Sequence, residues 1–249
     1  MEKIAAVILA AGKGTRMGDT EGSLIPKVMF PLAGKPIIYH SVKLIKDAGI
    51  NRVVLVVGYK RELIREYFGD QVEYVVQEDQ LGTGHAVLMA KELLEGKTDA
   101  VIVFYGDNPL YKPETVKKLI NIFETEKPTI AMLSAVSENP FGYGRIIRDE
   151  NGEVLGIKEH KDCNEEELKI KEWNPGFYIF DSEWLWSNID KLDSDNAQKE
   201  YLLTDLIKIA KEQDKKIIAI LVSEESEAFG INTGEQLKEA EKVLGSRNY

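Results

Sequence analysis

The chain begins with an apolar segment that runs directly into a glycine-rich loop. Residues 4 to 9 are rich in β-strand formers, and the sequence Ala10-Ala11-Gly12-Lys13-Gly14-Thr15-Arg16-Met17-Gly18 follows at once. Glycine lets the backbone approach an anion closely and turn its N–H groups toward it. Because the loop also carries a lysine and an arginine, the sequence predicts a buried strand that opens into a phosphate-binding loop.

This loop does not match either of the two common phosphate-binding fingerprints. A P-loop that starts at Gly12 requires Gly, Lys and Ser or Thr at positions 17 to 19, where the sequence has Met-Gly-Asp. The dinucleotide fingerprint fits at Gly12 and Gly14 but fails at Met17, and no carboxylate follows the second predicted strand to hold a ribose. An NAD-dependent oxidoreductase is therefore the least favoured interpretation.

Size and composition are those of a folded α/β protein. The 249 residues are enough for a large core, either as one α/β domain or as a core with a smaller lobe. The net charge of -10 argues against broad binding to nucleic acid or to anionic membranes. A single cysteine, Cys163, excludes an internal disulfide, and no apolar run reaches membrane-spanning length. With no signal peptide before the first strand, we expect a cytoplasmic protein.

Predicted strands and helices alternate through the first half of the chain. The strands are 4–9, 53–57, 72–76, 100–105 and 130–136, and the helices are 36–48, 61–68, 83–94 and 113–123. This order predicts a Rossmann-like, doubly wound, mostly parallel sheet. In such sheets ligands bind beyond the carboxyl ends of the strands. The Gly12 loop and Asp107 both follow strands at that edge, so we expect them to share one cleft.

The pattern changes after Pro140. Strands are predicted at 144–148, 154–158 and 176–180, with a hairpin turn at Asn151-Gly152 between the first two. We interpret them as a small antiparallel lobe that covers the cleft. A helix over 199–212, a strand over 217–222 and a helix over 233–244 complete the prediction, and Thr233 could instead cap that last helix.

The first loop, together with Pro26-Lys27, resembles the signature of the sugar-1-phosphate nucleotidyltransferases. Within them it is most similar to the uridylyltransferase (pyrophosphorylase) domain of the bacterial N-acetylglucosamine-1-phosphate uridylyltransferases. Six further segments follow in that family's order and span nearly the whole chain: Gln77 with 80–86, then 105–107, 142–146, 159–162, 174–176 and 230–232.

The resemblance implies a fold of the nucleotide-diphospho-sugar transferase type with a sugar-binding lobe. It also implies a single nucleotidyltransferase domain over 1–249, with a nucleotide-binding half (1–139) and a sugar-binding half (140–249). The family's bifunctional members continue into a β-helix that acetylates glucosamine-1-phosphate and forms trimers, and we expect neither property from this sequence.

The activity that the resemblance implies is a Mg2+-dependent transfer of a uridylyl group from UTP to N-acetylglucosamine-1-phosphate. The attacking and receiving phosphates are both anions, so catalysis depends on positioning and on positive charge. By resemblance Arg16, Lys27 and Asp107 are catalytic, and Asp107 and Asn232 are the Mg2+ ligands. Outside this context, the cations would be surface residues, Asp107 a turn residue and Asn232 a helix cap.

Substrate recognition is assigned by the same resemblance. Gln77 can offer an amide donor and acceptor to the edge of uracil. The three histidines form no catalytic set, and we expect them to be packing or surface residues. The predicted nucleotide-binding residues are Leu9, Ala10, Ala11, Gly12, Gly14, Gln77, Gly82 and Thr83, and the predicted sugar-binding residues are Tyr105, Gly106, Gly144, Glu159 and Asn174.

Two departures from the family pattern leave alternatives open. The linker between Arg16 and Lys27 is longer than usual, and Asn174-Pro175-Gly176-Phe177 replaces the usual Asn-Thr-Gly-Ile. The second change weakens the assignment of the acetamido sugar, so a glucose-1-phosphate uridylyl- or thymidylyltransferase remains an alternative. A non-catalytic sugar-nucleotide sensor on the same fold is another. The expected partners are UTP and a sugar-1-phosphate, with no nucleic acid and no membrane.

Overall fold

The computed structural model describes residues 3–12 and 25–247. The strands in this part of the chain are β1 (Ile4–Ala10), β2 (Pro31–Leu32), β3 (Lys35–Pro36), β4 (Arg52–Val57), β5 (Glu73–Val76), β6 (Ala100–Tyr105), β7 (Ile130–Val136), β8 (Gly144–Arg148), β9 (Val154–Lys158), β10 (Glu172–Asn174), β11 (Phe177–Asp181) and β12 (Ile217–Leu221). The helices there are α1 (Ile37–Asp47), α2 (Arg61–Phe68), α3 (Thr83–Leu88), α4 (Lys91–Leu94), α5 (Pro113–Glu126), α6 (Ser182–Asn188), α7 (Asp205–Glu212) and α8 (Gly234–Ser246).

The central sheet has the strand order β5-β4-β1-β6-β11-β7-β10-β8-β9, and β12 lies beside β7. Strands β5, β4, β1 and β6 are mutually parallel, with Val7 of β1 aligned to Val54 on one side and to Val103 on the other. The side chains of these three valines are fully buried. A continuous apolar run is expected where helices cover both faces of a parallel sheet. The predicted doubly wound, mostly parallel fold is confirmed.

Strand β11 lies in a different place from the one predicted. The sequence pattern assigned 176–180 to the small lobe, whereas β11 runs antiparallel between β6 and β7 in the central sheet. The reason is that Phe177, Tyr178, Ile179 and Phe180 are apolar on both faces of the strand, and all four are buried. Such a strand fits a sheet covered on both sides and not a lobe with one solvated face. The lobe itself consists of β8, β9 and β10, which pair antiparallel.

Two predicted helices are shorter or broken. The segment predicted as 83–94 divides into α3 and α4, and the N–H of Ala90 bonds to Val87 at the break. The segment predicted to begin at Lys199 becomes helical only at Asp205. Lys199 has a φ of +58°, and the backbone of Tyr201 pairs with residues 81 and 84 instead of with its own helix. Residues 196–204 therefore form an irregular segment that packs against the start of α3.

The predicted helix ends are largely confirmed. Pro36 precedes α1, Gly49 follows it with a φ of +95°, and Pro113 stands in the first turn of α5. Thr233 caps α8, since its hydroxyl accepts a hydrogen bond of 3.2 Å from the N–H of Gln236. Within residues 3–12 and 25–247, no helix combines the length and the apolar character that a membrane crossing requires.

Candidate functional site

A cleft lies at the carboxyl ends of the parallel strands, where the topology predicts a ligand site. Seven of the eight predicted nucleotide-binding residues line it, and Gly14 lies outside the described residues, as does Arg16. The described lining residues are Leu9, Ala10, Ala11, Gly12, Lys27, Val28, Gln77, Gln80, Gly82, Thr83, Ala86, Tyr105, Asp107 and Glu200.

The floor of the cleft is formed where β1, β4 and β5 end together. The N–H of Gln77 donates to the carbonyl of Val57 at 2.9 Å, which ties the end of β5 to that of β4. Gly58 follows β4, and a Cβ built there would lie 2.9 Å from the carbonyl oxygens of both Ala11 and Gln77. Real Cβ atoms do not approach backbone oxygens this closely, so glycine at position 58 allows the loops after β1 and β5 to close on each other.

One wall of the cleft is the turn that leads into α3. Gly82 has a φ of +116°, and a Cβ built on it would lie 2.5 Å from the carbonyl oxygen of Tyr201. The N–H of Gly84 donates to that same oxygen at 2.8 Å, while the N–H of Tyr201 donates to Leu81 at 2.8 Å. The hydroxyl of Thr83 accepts from the N–H of Leu203 at 2.9 Å. The glycines thus permit a backbone contact that fixes this wall to the 196–204 segment.

The side chain of Gln77 is buried and points along this wall. Its amide nitrogen Nε2 lies 3.0 Å from the carbonyl oxygen of Gly82 and 3.0 Å from Nδ1 of His85. Both neighbours take up the amide hydrogens, so the carbonyl oxygen Oε1 is the group that Gln77 can present to the cleft. The sequence predicted the residue, and the structure adds the direction of its amide.

The opposite wall holds a cluster of charged and polar groups. The ammonium of Lys27 contacts the carboxylate of Asp107 and lies 3.0 Å from Oδ1 of Asn232. The Lys27 and Asp107 side chains are only 14% and 18% exposed. Two oxygen atoms from distant parts of the chain therefore converge on one cationic group.

This convergence is the observation that tests whether a metal fits. Carboxylate and amide oxygens are ligands that Mg2+ accepts, and the ion usually keeps waters or substrate oxygens in its other positions. The Lys27 ammonium occupies the point on which both oxygens are directed, so it marks a position suited to a cation. Asp107 and Asn232 fit the metal role, although no cluster of three or more His, Cys, Asp and Glu side chains is found among the described residues.

The turn after β6 is joined to neighbouring segments through Asn108 and through the backbone of Asp107. Its amide nitrogen donates to Pro175 at 3.0 Å and lies 3.4 Å from the carbonyl oxygen of Ala228, so the turn after β6 is joined to two other segments. The N–H of Ile231 donates to the carbonyl of Asp107 at 2.8 Å. Asn108 was not among the predicted site residues, and the only sequence signal for it is its position directly after Asp107.

Tyr105, predicted to bind sugar, stands between the two parts of the site. Burial, followed by the negative charges of Glu159 and Asp107, raises the pKa of the Tyr105 hydroxyl far above its ordinary value. The hydroxyl is therefore neutral and available as a hydrogen-bonding group. A Cβ on Gly176 would lie 2.0 Å from the Tyr105 ring, so glycine at that position lets the ring approach the backbone closely.

The other predicted sugar-binding residues do not line the nucleotide cleft in the described structure. Gly144 and Glu159 are neighbours, since a Cβ on Gly144 would lie 3.5 Å from Oε2 of Glu159. Gly106 is held to β1 by a hydrogen bond from its N–H to Leu9 at 2.9 Å. The amide of Asn174 is used within the protein: it donates to the Tyr178 hydroxyl at 2.6 Å and accepts from Gly176 at 3.1 Å.

The pKa of Glu159 is also perturbed. Burial is the largest cause that raises the pKa of its carboxyl, and the nearby acids Asp205, Asp162 and Glu200 raise it further. The hydroxyl of Thr204 donates to Oε1 at 3.0 Å and opposes this shift. The carboxyl is thus a partly desolvated acceptor.

Four lining residues were not predicted: Val28, Gln80, Ala86 and Glu200. Gln80 and Ala86 belong to a segment that carried the resemblance but received no individual role. Glu200 was placed in a predicted helix and is instead in the irregular segment before α7. No local sequence signal would have directed it to the cleft, because its position depends on the pairing of Tyr201 with the turn before α3.

One family profile and two curated relatives match nearly the whole chain. The sequence profile of the family described as "Nucleotidyl transferase" matches residues 5–226. The chain is 48% identical over 244 residues to the "Bifunctional protein GlmU" of Clostridium novyi, covering 98% of this chain and 52% of that protein. It is 42% identical over 249 residues to the protein of the same name from Geotalea daltonii, covering 99% of this chain and 54% of the relative. The chain spans about half the length of the curated relatives it matches.

Solved structures share the fold at lower sequence identity. A Bacillus anthracis protein assigned as a glucose-1-phosphate thymidylyltransferase and solved with sucrose superposes with a TM-score of 0.80 at 21% identity, covering 99% of this chain and 97% of that one. A UDP-glucose pyrophosphorylase complexed with UDP-glucose superposes with a TM-score of 0.78 at 21% identity and covers both chains in full. At this identity the two similarities establish the fold alone.

Proposed function

Because the chain belongs to the nucleotidyl transferase family, we propose that it transfers a uridylyl group from UTP to N-acetylglucosamine-1-phosphate, giving UDP-N-acetylglucosamine and pyrophosphate. The observation that carries the proposal is the shared cleft. Lys27 and Asp107 line it, with Asn232 bonded to Lys27, and Gln77 with the Gly82 turn forms another side. A nucleoside triphosphate requires positive charge for its phosphates and polar groups that can contact its base.

The proposed reaction needs no covalent intermediate. A phosphate oxygen of the sugar-1-phosphate attacks the α-phosphate of UTP, and pyrophosphate leaves in line. Since both reactants are anions, catalysis comes from positioning and from positive charge in a partly dry cleft. Lys27 neutralises phosphate oxygens, and Arg16 is proposed to hold the triphosphate and the leaving pyrophosphate.

Asp107 and Asn232 are the proposed ligands of Mg2+. When bound, the ion supplies charge neutralisation on the phosphate oxygens. Lys27 contacts both ligands in the described structure, so the ammonium must move toward the phosphates when metal and nucleotide arrive together. The hydrogen bond from Ile231 to Asp107 keeps the two ligands at a fixed separation while this happens.

Base recognition is assigned to the Gln77 wall. The Oε1 atom of Gln77 accepts the N3–H of uracil, and the backbone of Gly82 and Thr83 contacts the other polar atoms of the base. The end of β1 and the following loop, from Leu9 to Gly12 and on to Gly14, hold the nucleoside and its phosphates. These residues all belong to the proposed nucleotide-binding half, 1–139.

Sugar recognition is assigned to the proposed half 140–249, together with Tyr105 and Gly106. Glu159 is desolvated and accepts hydrogen bonds from sugar hydroxyls, and Gly144 leaves room beside it. A second candidate function follows from Asn174, whose amide is already bonded to Tyr178 and Gly176. An amide used in this way selects less strongly for an acetamido group, which favours glucose-1-phosphate as the alternative acceptor.

The test is a pyrophosphate-release panel. The four nucleoside triphosphates are paired with N-acetylglucosamine-1-phosphate, glucose-1-phosphate and galactose-1-phosphate, each with and without Mg2+. We expect UTP with N-acetylglucosamine-1-phosphate to be the fastest pair and to require the metal. If no pair releases pyrophosphate, the result would support a non-catalytic sugar-nucleotide sensor. A faster reaction with glucose-1-phosphate would support the second candidate.

Two variants accompany the panel. We expect Asp107→Ala to remove turnover while the protein stays folded, because the metal loses its only charged ligand. Asp47→Ala is the control: this acid lies on α1, is exposed and pairs with Lys43. An Asp107→Ala rate within a few-fold of the wild type would remove the metal role from this residue.

A further inference from the structure

The orientation of the Gln77 amide is fixed by the chemistry of its neighbours. The carbonyl oxygen of Gly82 can only accept a hydrogen bond, so the Gln77 atom 3.0 Å away must be the nitrogen Nε2. The same nitrogen is 3.0 Å from Nδ1 of His85, so its second hydrogen is directed at that ring. His85 must accept, which requires a neutral ring with its proton on Nε2.

We propose that His85 is a positioning residue that makes the site select uracil over cytosine. Its Nδ1 lone pair and the Gly82 carbonyl together hold Gln77 with Oε1 toward the cleft. Uracil presents an N3–H donor to that oxygen, whereas cytosine presents an N3 acceptor and is repelled. The inference rests on the proposed function, since it assumes that a pyrimidine nucleotide occupies this cleft.

Reversal of the amide is what His85 prevents. With the His85 proton on its own Nε2, a flipped Gln77 would place Oε1 against two acceptors, the Gly82 oxygen and the Nδ1 lone pair of His85, and would turn the Gln77 amide nitrogen toward the base. Without the histidine acceptor only one of these repulsions remains. The flipped amide, which suits cytosine, then becomes accessible. Thymine has the same N3–H and flanking oxygens as uracil, so this contact does not discriminate against dTTP.

The position of His85 is well determined by the fold. It lies on α3 directly after Gly84, whose N–H is bonded to Tyr201 at 2.8 Å. A Cβ on Gly84 would lie 2.3 Å from Cδ1 of Leu192, so the helix is packed closely on this side. His85 was expected to be a packing or surface residue, and its Nδ1 atom instead lies 3.0 Å from the predicted base-binding amide of Gln77.

The test measures the ratio of kcat/KM for UTP to that for CTP. We expect His85→Leu to lower the ratio about tenfold, the effect of losing one neutral hydrogen bond, mainly through a higher KM for UTP. In His85→Asn the Oδ1 atom can take the place of Nδ1, so we expect this variant to stay within about threefold of the wild type. His40→Leu is the matched control, because the His40 ring bonds to the backbone of Leu32 and neither residue is among those that line the cleft in the described structure.

A double variant separates positioning from general structural damage. If His85 acts through Gln77, adding His85→Leu to Gln77→Leu leaves the UTP to CTP ratio where Gln77→Leu alone has put it. A further drop in the double variant, or an unchanged ratio in His85→Leu, would overturn the proposal.

Two further measurements test the role of His85 if the variant does not fold or if the wild type is inactive. Should His85→Leu not fold, the nitrogen-15 shifts of the His85 ring in the wild type decide: we expect the proton on Nε2, and a proton on Nδ1 would overturn the proposal. Should the wild type transfer no uridylyl group, the proposed function fails, and the ratio of UDP to CDP affinity then decides the role of His85 by the same comparisons.

Discussion

Replacing Lys27 by methionine should make the protein bind Mg2+ more tightly in the absence of nucleotide. The Lys27 ammonium lies between the Asp107 carboxylate and Oδ1 of Asn232, where the proposed metal would sit. A metal that arrives alone must displace it. Methionine keeps most of the side-chain volume and removes the competing charge.

The size of the effect follows from the contacts that the metal must break. A hydrogen bond to a charged group contributes about 1.5–3 kcal/mol net. The side chains are 14% and 18% exposed, so solvent screens this pair less than a surface ion pair. Taking only the lower value, about 1.5 kcal/mol, removal of the competitor lowers the dissociation constant for Mg2+ about tenfold.

Titration calorimetry without nucleotide measures this constant directly, and thermal unfolding gives a second measurement. We expect the variant without metal to unfold at a lower temperature, because Asp107 is left without its cation, and added Mg2+ to raise its midpoint more than that of the wild type. With UTP present we expect the variant to bind Mg2+ less tightly than the wild type, because the variant lacks the ammonium that holds the phosphates.

The control is Lys91→Met. Lys91 pairs with Asp190, and neither lines the cleft in the described residues. This variant should bind Mg2+ as the wild type does. If Lys27→Met binds the metal no more tightly than the wild type, the ammonium does not compete for the metal position, and the assignment of Asp107 and Asn232 loses its structural support.

Three further results are expected. Gly82→Ala should lower the free energy of unfolding by about 2–4 kcal/mol, since it combines a φ of +116° with a Cβ 2.5 Å from Tyr201. Denaturant unfolding measures this loss, and Gly152→Ala is the control. Gly152 has a φ of +81° but no atom near the added Cβ, so its replacement should cost only about 1–2 kcal/mol. Burial raises the pKa of Glu159, so the folded protein retains this proton to higher pH, and ionisation of Glu159 lowers the free energy of unfolding as the pH rises. Glu159→Gln should therefore raise the free energy of unfolding at pH 8 and leave it unchanged at pH ~4. An equal gain at both pH values would contradict this explanation. Thr233→Ala should cost about 1 kcal/mol through loss of the α8 cap, and an unchanged denaturation midpoint would show that the cap is dispensable.

The parts of the fold that the sequence predicts well are those set by local pattern. The parallel strands appear as continuous apolar runs, and β6 and β7 have the predicted limits. The rule that ligands bind beyond the carboxyl ends of parallel strands also places Gly12 and Asp107 in one cleft, which the structure shows. These predictions depend only on side-chain periodicity and on the order of elements.

The parts that the sequence could not predict depend on contacts between distant residues. Tyr201 looks helical in isolation, but its backbone bonds to the turn at Leu81 and Gly84, and this displaces Glu200 into the cleft. Likewise nothing local indicates that His85 faces Gln77, because their relation depends on how the turn between them folds.

The insertion of β11 between β6 and β7 has a consequence for synthesis on the ribosome. Strands β6 and β7 are complete by residue 136, yet the strand that joins them is not translated until residues 177–181. Each of the two earlier strands therefore keeps one unpaired edge while about forty codons are translated. A nascent chain paused in that interval would expose unpaired backbone N–H and C=O groups beside apolar side chains, so slow translation between β7 and β11 should favour aggregation of this protein in the cell.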